Sequence, residues 1–369
     1  MEKMFDRDLL NRIYESSDEQ SLVFTHADKI WVMPACATKG AMDMYQPTSR
    51  AGKCLKKSVV KKGKTPLFAR GSKVKKVQCS LASDVRAQLE DILGISEFYV
   101  ASYMGDTSTY QNEKVVLQIY NDNEIFAFVK VTDNAKVAEA FEREAKAIKD
   151  LRNLGIENIP RVIGLKENDG LTYFAQSNNK PMGQEVRLEF NEQVIQNISE
   201  IISKTNVHMS YDASDFCTYV EYLKSKSSIF DKEQQSIVEE AIGQVEEASD
   251  FAFAHGDYTP WNIYYFKDEI QMFDMEYCSF SMPAYVDVFH YLAQTALLTK
   301  RYTAQCAMRE YEKYSDLMGE YMDDPKFAFI CYLVWIISFY IKRSESDIDQ
   351  IKNKLDVWVE MLEYLVRYL

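Results

Sequence analysis

Three side chains set the chemistry this sequence can support. Asp257 follows His255 and Gly256, Asn262 stands five residues after it, and Asp274 lies beyond a strand pair predicted to turn at Lys267 to Glu269. Oxygen-bearing groups in that order suit the transfer of a phosphoryl group. That reaction asks little covalent work of a protein, which must align an incoming hydroxyl and neutralise charge on the phosphate oxygens. Asp257 would orient the hydroxyl and accept its proton. Asn262 and Asp274 offer hard oxygen ligands to Mg2+, which keeps several waters and is held through one or two carboxylates plus nucleotide phosphates. Each residue alone also reads as a turn former or helix cap, so the weight lies on the combination, with Pro260 inside the loop.

A cation belongs with such a centre. Lys130 is the lysine of the strand-like segment EIFAFVKV, flanked by Phe128, Val129 and Val131. In the helix expected next, Val137, Phe141, Ala145 and Ile148 define an apolar face that includes Glu144, while Glu139 and Glu142 fall off it. A buried carboxylate needs a partner, and Lys130 is the candidate. The competing reading ends an edge strand at Lys130 and leaves Glu144 bordering the apolar face.

The elements that must position these groups fall into three blocks. Residues 1–83 hold a short amphipathic start, a strand-like LVFTHADKIWVMP, and a basic segment broken by Gly63, Pro66 and Gly71. Residues 84–178 begin with a helix over DVRAQLEDILG, followed by three strands predicted to form an antiparallel meander. A helix from Asp133 or Asn134 to Leu154 follows, and then two strands joined by an Asn-Asp-Gly turn. Residues 179–369 are mainly helical by period, with one strand-loop-strand island that carries Asp257, Asn262 and Asp274. A small β-rich part followed by a large helical part is an α+β arrangement.

The His-Gly-Asp loop, its Asn262 and the downstream Asp274 resemble the aminoglycoside phosphotransferase and choline kinase superfamily. The Asp-to-Asn spacing also matches that of the protein-kinase catalytic loop. The resemblance implies a protein-kinase-like two-lobed fold, with a small antiparallel β lobe, a larger helical lobe and, here, an N-terminal extension. It implies ATP as phosphoryl donor, with GTP left open, and Mg2+ as metal. Lys130 would then hold the α- and β-phosphates while paired with Glu144. Leu171 to Ser177 would be the interlobe hinge, with Gln176 and Ser177 nearest the adenine edge. His255 would support the catalytic loop and Asp287 would brace it from the next helix, neither doing direct chemistry.

One part departs from that pattern. Where a nucleotide-covering loop belongs there is no GxGxxG, only Gly105 followed by Asp106, Thr107, Ser108 and Thr109. Hydroxyls such as that of Ser108, or backbone amides, would have to reach the phosphate oxygens instead.

Composition bounds the rest. The chain has 369 residues, 47% of them hydrophobic, with 24 Tyr and 20 Phe, which argues for a packed globular protein rather than disorder. The seven cysteines are scattered and form no CxxC pair, as expected of reduced thiols, and the charged N-terminus lacks a secretory apolar stretch. Both point to the cytoplasm. His255 and His290 are not spaced with acidic or thiol partners as a zinc site requires. The greasy run Phe327 to Ile341 is short for a membrane span and reads as a buried helix.

The formal charge is −13, yet no Asp or Glu occurs between Asp43 and Asp84, where Arg and Lys crowd together. A basic segment over 50–76 suits an anionic partner such as the inner membrane surface, or is a solvated face; no nucleic acid is expected. The partner that chemistry requires is a small molecule with an acceptor hydroxyl. WVMPACATKGAMDMYQPTSRAGKCLKK resembles the preamble of kinases that accompany bacterial surface-polysaccharide synthesis, which implies a sugar or saccharide acceptor. Glu276 either lines the acceptor pocket or merely follows the resembled Asp-aromatic-Glu pattern. Glu239, Glu240, Glu246, Glu247 and Asp250 either draw a cationic amine, as an aminoglycoside or choline kinase would need, or coat a solvated helix. The alternative class is a pseudokinase or binding module. A protein kinase is disfavoured, because no Ala-Pro-Glu signature follows Asp274.

Overall fold

The computed structural model describes residues 4–26, 28–47, 49–64, 66, 71–105, 113–178, 180–345 and 347–368. By internal contacts the chain divides into two compact units, Met1–Val186 with Phe266–Gln271, and Arg187–Tyr265 with Met272–Leu369.

The first unit opens with α1 (Asp8–Ile13), β1 (Tyr14–His26), β2 (Lys29–Pro34), α2 (Thr38–Ala41), α3 (Arg50–Lys62), β3 (Ser72–Leu81) and α4 (Ser83–Leu93). It continues through β4 (Tyr99–Met104), β5 (Val115–Tyr120), β6 (Ile125–Thr132), α5 (Ala135–Asn153), β7 (Val162–Asn168) and β8 (Leu171–Ser177). The strands form one antiparallel sheet in the order β3-β1-β2-β4-β5-β6-β8-β7.

Strand period 2 divides the side chains between two faces, each covered by helices. On one face Leu117, Ile119, Val129 and Val131 pack with Leu9 and Leu10 of α1 and Val85 and Leu89 of α4. On the other, Phe24, Trp31, Ala101 and Tyr120 pack with Ala41 of α2 and Leu55 and Val59 of α3.

Residues 1–83, set apart as a separate block by their composition, thus share this sheet with 84–178. β2 runs antiparallel to β4, with Val32 opposite Ser102, a pairing between positions far apart in sequence that no local pattern reports. Within the basic segment α3 is an amphipathic helix, N-capped by Ser49 and closed by Gly63 at φ 57°. The Asn-Asp-Gly turn joins β7 to β8 with Asp169 at φ 48° and Gly170 at φ 67°, the two left-handed residues of a type I′ hairpin.

The second unit contains α6 (Glu192–Thr205), β9 (Val207–His208), α7 (Asp215–Ser225), α8 (Lys232–Val245) and β10 (Asp250–Ala254). A hairpin of β11 (Ile263–Phe266) and β12 (Glu269–Met272), turning at Lys267 and Asp268, draws its tip from the first unit. There follow β13 (Ser279–Pro283), α9 (Val286–Thr299), α10 (Ala304–Gly319), α11 (Pro325–Arg343) and α12 (Lys352–Arg367). By length and composition α11 could cross a membrane, but 67% of its apolar window is buried within the protein, as befits a core helix.

Candidate active site

Lys130 lies on β6, which has β5 on one side and β8 on the other, so it is not at a sheet edge. Opposite it stand Val116 and Phe174. Helix α5, capped by the Asn134 side chain, turns Val137, Phe141, Ala145 and Ile148 inward, and Phe141 packs on Phe174 with ring centroids 5.9 Å apart. Glu144 sits in that buried stripe at 1% exposure. Lys130 Nζ donates to Glu144 Oε2 at 2.6 Å, with the side chains 5% and 0% exposed. Two charges held so far from water depend on each other.

Two residues along β6 on the same face is Phe128, flanked by Gln118 on β5 and Gln176 on β8. Gln118 and Gln176 are both buried, and their Oε1 atoms have no hydrogen-bond partner among the described residues. Unmet acceptors beside a buried lysine fit a polar ligand lying along this face.

Part of the face is covered by α2. Gln118 Nε2 donates to Gly40 O at 2.9 Å and Tyr120 Oη to Ala37 O at 2.9 Å. Gly40 has no room for a side chain, since a Cβ there would lie 2.6 Å from the Tyr120 ring. Ser177 Oγ accepts from Arg161 N at 2.9 Å, so its hydroxyl is engaged by the neighbouring strand end. Gly105 follows the end of β4, and Ser108 lies outside the described residues.

Asp257, Asn262 and Asp274 belong to the second unit. The loop leaves β10 at Ala254, and the amides of His255 and Gly256 donate to Asp287 Oδ2 and Oδ1 at 2.6 and 3.2 Å. Burial pushes the Asp287 carboxyl above its ordinary value, while the hydrogen bonds from the amides of His255 and Gly256 pull it back. Gly256 has φ 80°, and a Cβ there would lie 2.3 Å from Tyr277 O, so no other residue fits that point of the loop.

His255 is fixed as one neutral tautomer by its neighbours. Nε2 must donate to Phe273 O at 3.0 Å, and Nδ1 accepts from Asp257 N at 3.3 Å. Asn262 Nδ2 donates to Asp257 Oδ2 at 2.7 Å and to Asp257 O at 2.9 Å. Phe273 N donates to Asn262 O at 3.1 Å. His255 and Asn262 therefore both grip the residue before Asp274, which ties Asp274 to the loop. Asp274 itself has φ 67° and Tyr285, the N-cap of α9, has φ 65°. Left-handed backbone at such residues is costly, and here it occurs beside the loop and at the start of the helix that braces it.

His290 completes the arrangement, and sequence reasoning weighed it only as a zinc ligand. Its Nε2 lies 3.1 Å from Asp257 Oδ1. The available signal was its place three residues after Asp287 on one helix, which sets both on the same face. Among the described residues no group of three His, Cys, Asp or Glu could hold a metal alone. Glu239, Glu240, Glu246, Glu247 and Asp250 are all exposed.

No protein-family profile matches the sequence, and no curated protein does. Solved structures do. The GDP and kanamycin complex of the aminoglycoside phosphotransferase APH(2″)-IIIa matches with a TM-score of 0.50 at 10% identity, covering 77% of this chain and 98% of that one. The chain has the fold of the aminoglycoside phosphotransferases. This is the protein-kinase-like α+β class expected from a small β-rich part followed by a large helical part and implied by the family resemblance. The GDP complex of wild-type aminoglycoside 2′-phosphotransferase-IIIa matches at a TM-score of 0.48 and 11% identity, over 76% of this chain and 96% of that one. A Thermobifida fusca protein assigned as a fructosamine-3-kinase matches at 0.46 and 14% identity, over 78% of this chain and 99% of that one.

Proposed function

We propose that this protein is a small-molecule kinase that moves the γ-phosphoryl group of ATP or GTP to an acceptor hydroxyl. The observation that carries the reading is Asp257, presented on a braced loop with one carboxylate oxygen held by Asn262 and the other by His290. Asp257 is the base, Lys130 receives the phosphates while Glu144 holds it in place, and Gln176 meets the base edge.

The donor set fits Mg2+. With Nδ2 of Asn262 turned to Asp257, Oδ1 is the atom left for a cation, and Asp274 adds a carboxylate. Mg2+ would take its remaining ligands from phosphates and water. When bound, Mg2+ would neutralise charge on the phosphate oxygens.

For the acceptor we favour a sugar or saccharide. The APH(2″)-IIIa structure holds GDP and kanamycin, so this fold accommodates a nucleotide together with a small-molecule ligand. The N-terminal preamble points the same way. An ADP-release screen over sugars, lipid-linked saccharides, aminoglycosides and choline tests both class and acceptor, with release stimulated by a saccharide as the expected result. Silence across the panel would overturn the reading.

One observation favours the second reading, a binding module without catalysis. Helix α2 stands over the face that carries Lys130, bonded to Gln118 and Tyr120. If that cover is permanent, ATP and GTP will both fail to bind in calorimetry.

Attachment to an anionic inner membrane surface is a separate proposal. Within 50–76, Lys53 and Lys56 face Glu185 and Asp43, while Arg50, Lys57, Lys61, Lys62, Lys73, Lys75 and Lys76 are exposed.

A further inference from the structure

Helix α9 touches the catalytic loop at two points. Asp287 takes the amides of His255 and Gly256, and three residues on His290 reaches Asp257 Oδ1 at 3.1 Å. The second contact is deep: the His290 ring is 4% exposed and packs between Tyr332 and Trp335 of α11, with centroids at 5.7 and 5.8 Å. Its Nδ1 is buried and has no hydrogen-bond partner among the described residues.

Those facts assign the proton. Facing a carboxylate, Nε2 must carry a hydrogen and donate it. A doubly protonated ring would bury a second N–H of a cation against apolar walls with nothing to accept it, whereas a neutral ring leaves only a bare nitrogen there, the cheaper defect.

We propose that His290 is a positioning residue for phosphoryl transfer, an uncharged donor that clamps one oxygen of Asp257 and leaves the other to do the chemistry. The inference rests on the kinase reading given above. Both oxygens are engaged in this structure, Oδ1 by His290 and Oδ2 by Asn262. Oδ2 keeps a second lone pair beside the Asn262 donor, and that is the site left for the incoming hydroxyl.

Oδ2 then takes the hydroxyl proton as the acceptor oxygen bonds to the γ-phosphorus. The bond from that phosphorus to the bridging oxygen breaks, and the electron pair leaves with the nucleoside diphosphate. A cation at Oδ1 would hold the carboxylate as firmly but sap its basicity. A neutral donor fixes its direction at less cost to its strength as a base.

The test compares His290→Gln and His290→Leu with wild type in steady-state ADP release from Mg·ATP, with water as acceptor and with each member of the acceptor panel. Glutamine Nε2 reaches where imidazole Nε2 does, so H290Q should stay within a few-fold of wild type. H290L should lose ~10- to 100-fold in kcat, the worth of one hydrogen bond to a charged group, with KM for Mg·ATP unchanged. The inference fails if H290L matches wild type, if its loss is in KM, or if H290Q is as impaired as H290L.

Nitrogen-15 NMR of the wild-type imidazoles gives a readout that needs no variant to fold. A ring protonated on Nε2 alone supports the assignment and a doubly protonated ring overturns it. A wild type that releases no ADP under any of these conditions strikes the kinase reading itself, and this inference with it.

Discussion

The buried pair of Lys130 and Glu144 makes the sharpest quantitative prediction. Their 2.6 Å contact lies in side chains 5% and 0% exposed, so neither charge can turn to water when the other is removed. Replacing Glu144 with Leu, or Lys130 with Met, should each cost ~3–5 kcal/mol, the usual effect of breaking a buried pair. Replacing both should cost less than the sum of the two, because the contact they share is lost only once. With a urea slope of ~1–3 kcal/mol per molar, each single variant should lower the unfolding midpoint by ~1 M or more. The assay is urea unfolding of the full chain, followed by hydrogen exchange at the amides of β6 and α5 to report this unit. Single variants that each lose less than ~1 kcal/mol, or a double variant that loses the full sum, would refute a mutually dependent pair.

Three further outcomes test other parts of the molecule. Replacing Asp274 with Ala should weaken nucleotide binding in the presence of Mg2+ and leave it unaffected by Mg2+; calorimetry showing equal affinity with and without Mg2+ in both forms removes the metal role. Burial raises the Asp287 carboxyl above its ordinary 3.8, so its proton stabilises the fold below that value and the contribution is lost as pH rises through the raised one. The stability advantage of wild type over Asp287→Asn should therefore shrink with rising pH in denaturant titrations, and an advantage that grows instead contradicts the assigned direction. Neutralising Lys57, Lys61 and Lys62 to Gln should reduce co-sedimentation with anionic vesicles, each exposed lysine near such a surface contributing ~1 kcal/mol; unchanged co-sedimentation ends the membrane proposal. These substitutions are preferable to deleting residues 1–83, which would strip β1, β2 and β3 from the sheet.

What could be read from the sequence was local. The period of α5 put Glu144 among buried apolar residues, and the turn residues fixed the hairpins of β7 with β8 and β11 with β12. What could not be read depends on pairings across long stretches of chain. The joining of β2 to β4 is one, and the placing of α2 over Gln118 and Tyr120 is another. His290 lies between these cases. Its spacing from Asp287 was visible, but its target is a carboxylate 33 residues earlier, met only once α9 docks on the loop. The left-handed backbone at Asp274 and Tyr285 had no sequence signal, since neither residue favours that conformation as glycine does.

In the proposed reaction Asp257 acts as the base on an incoming hydroxyl. Its most direct test is the turnover of Asp257→Asn against wild type, with nucleotide affinity measured on the same samples. A fall in ADP release of ~100-fold or more with affinity retained is the predicted result, in keeping with the worth of general-base catalysis. A rate near that of wild type would show that this carboxylate does not take the proton.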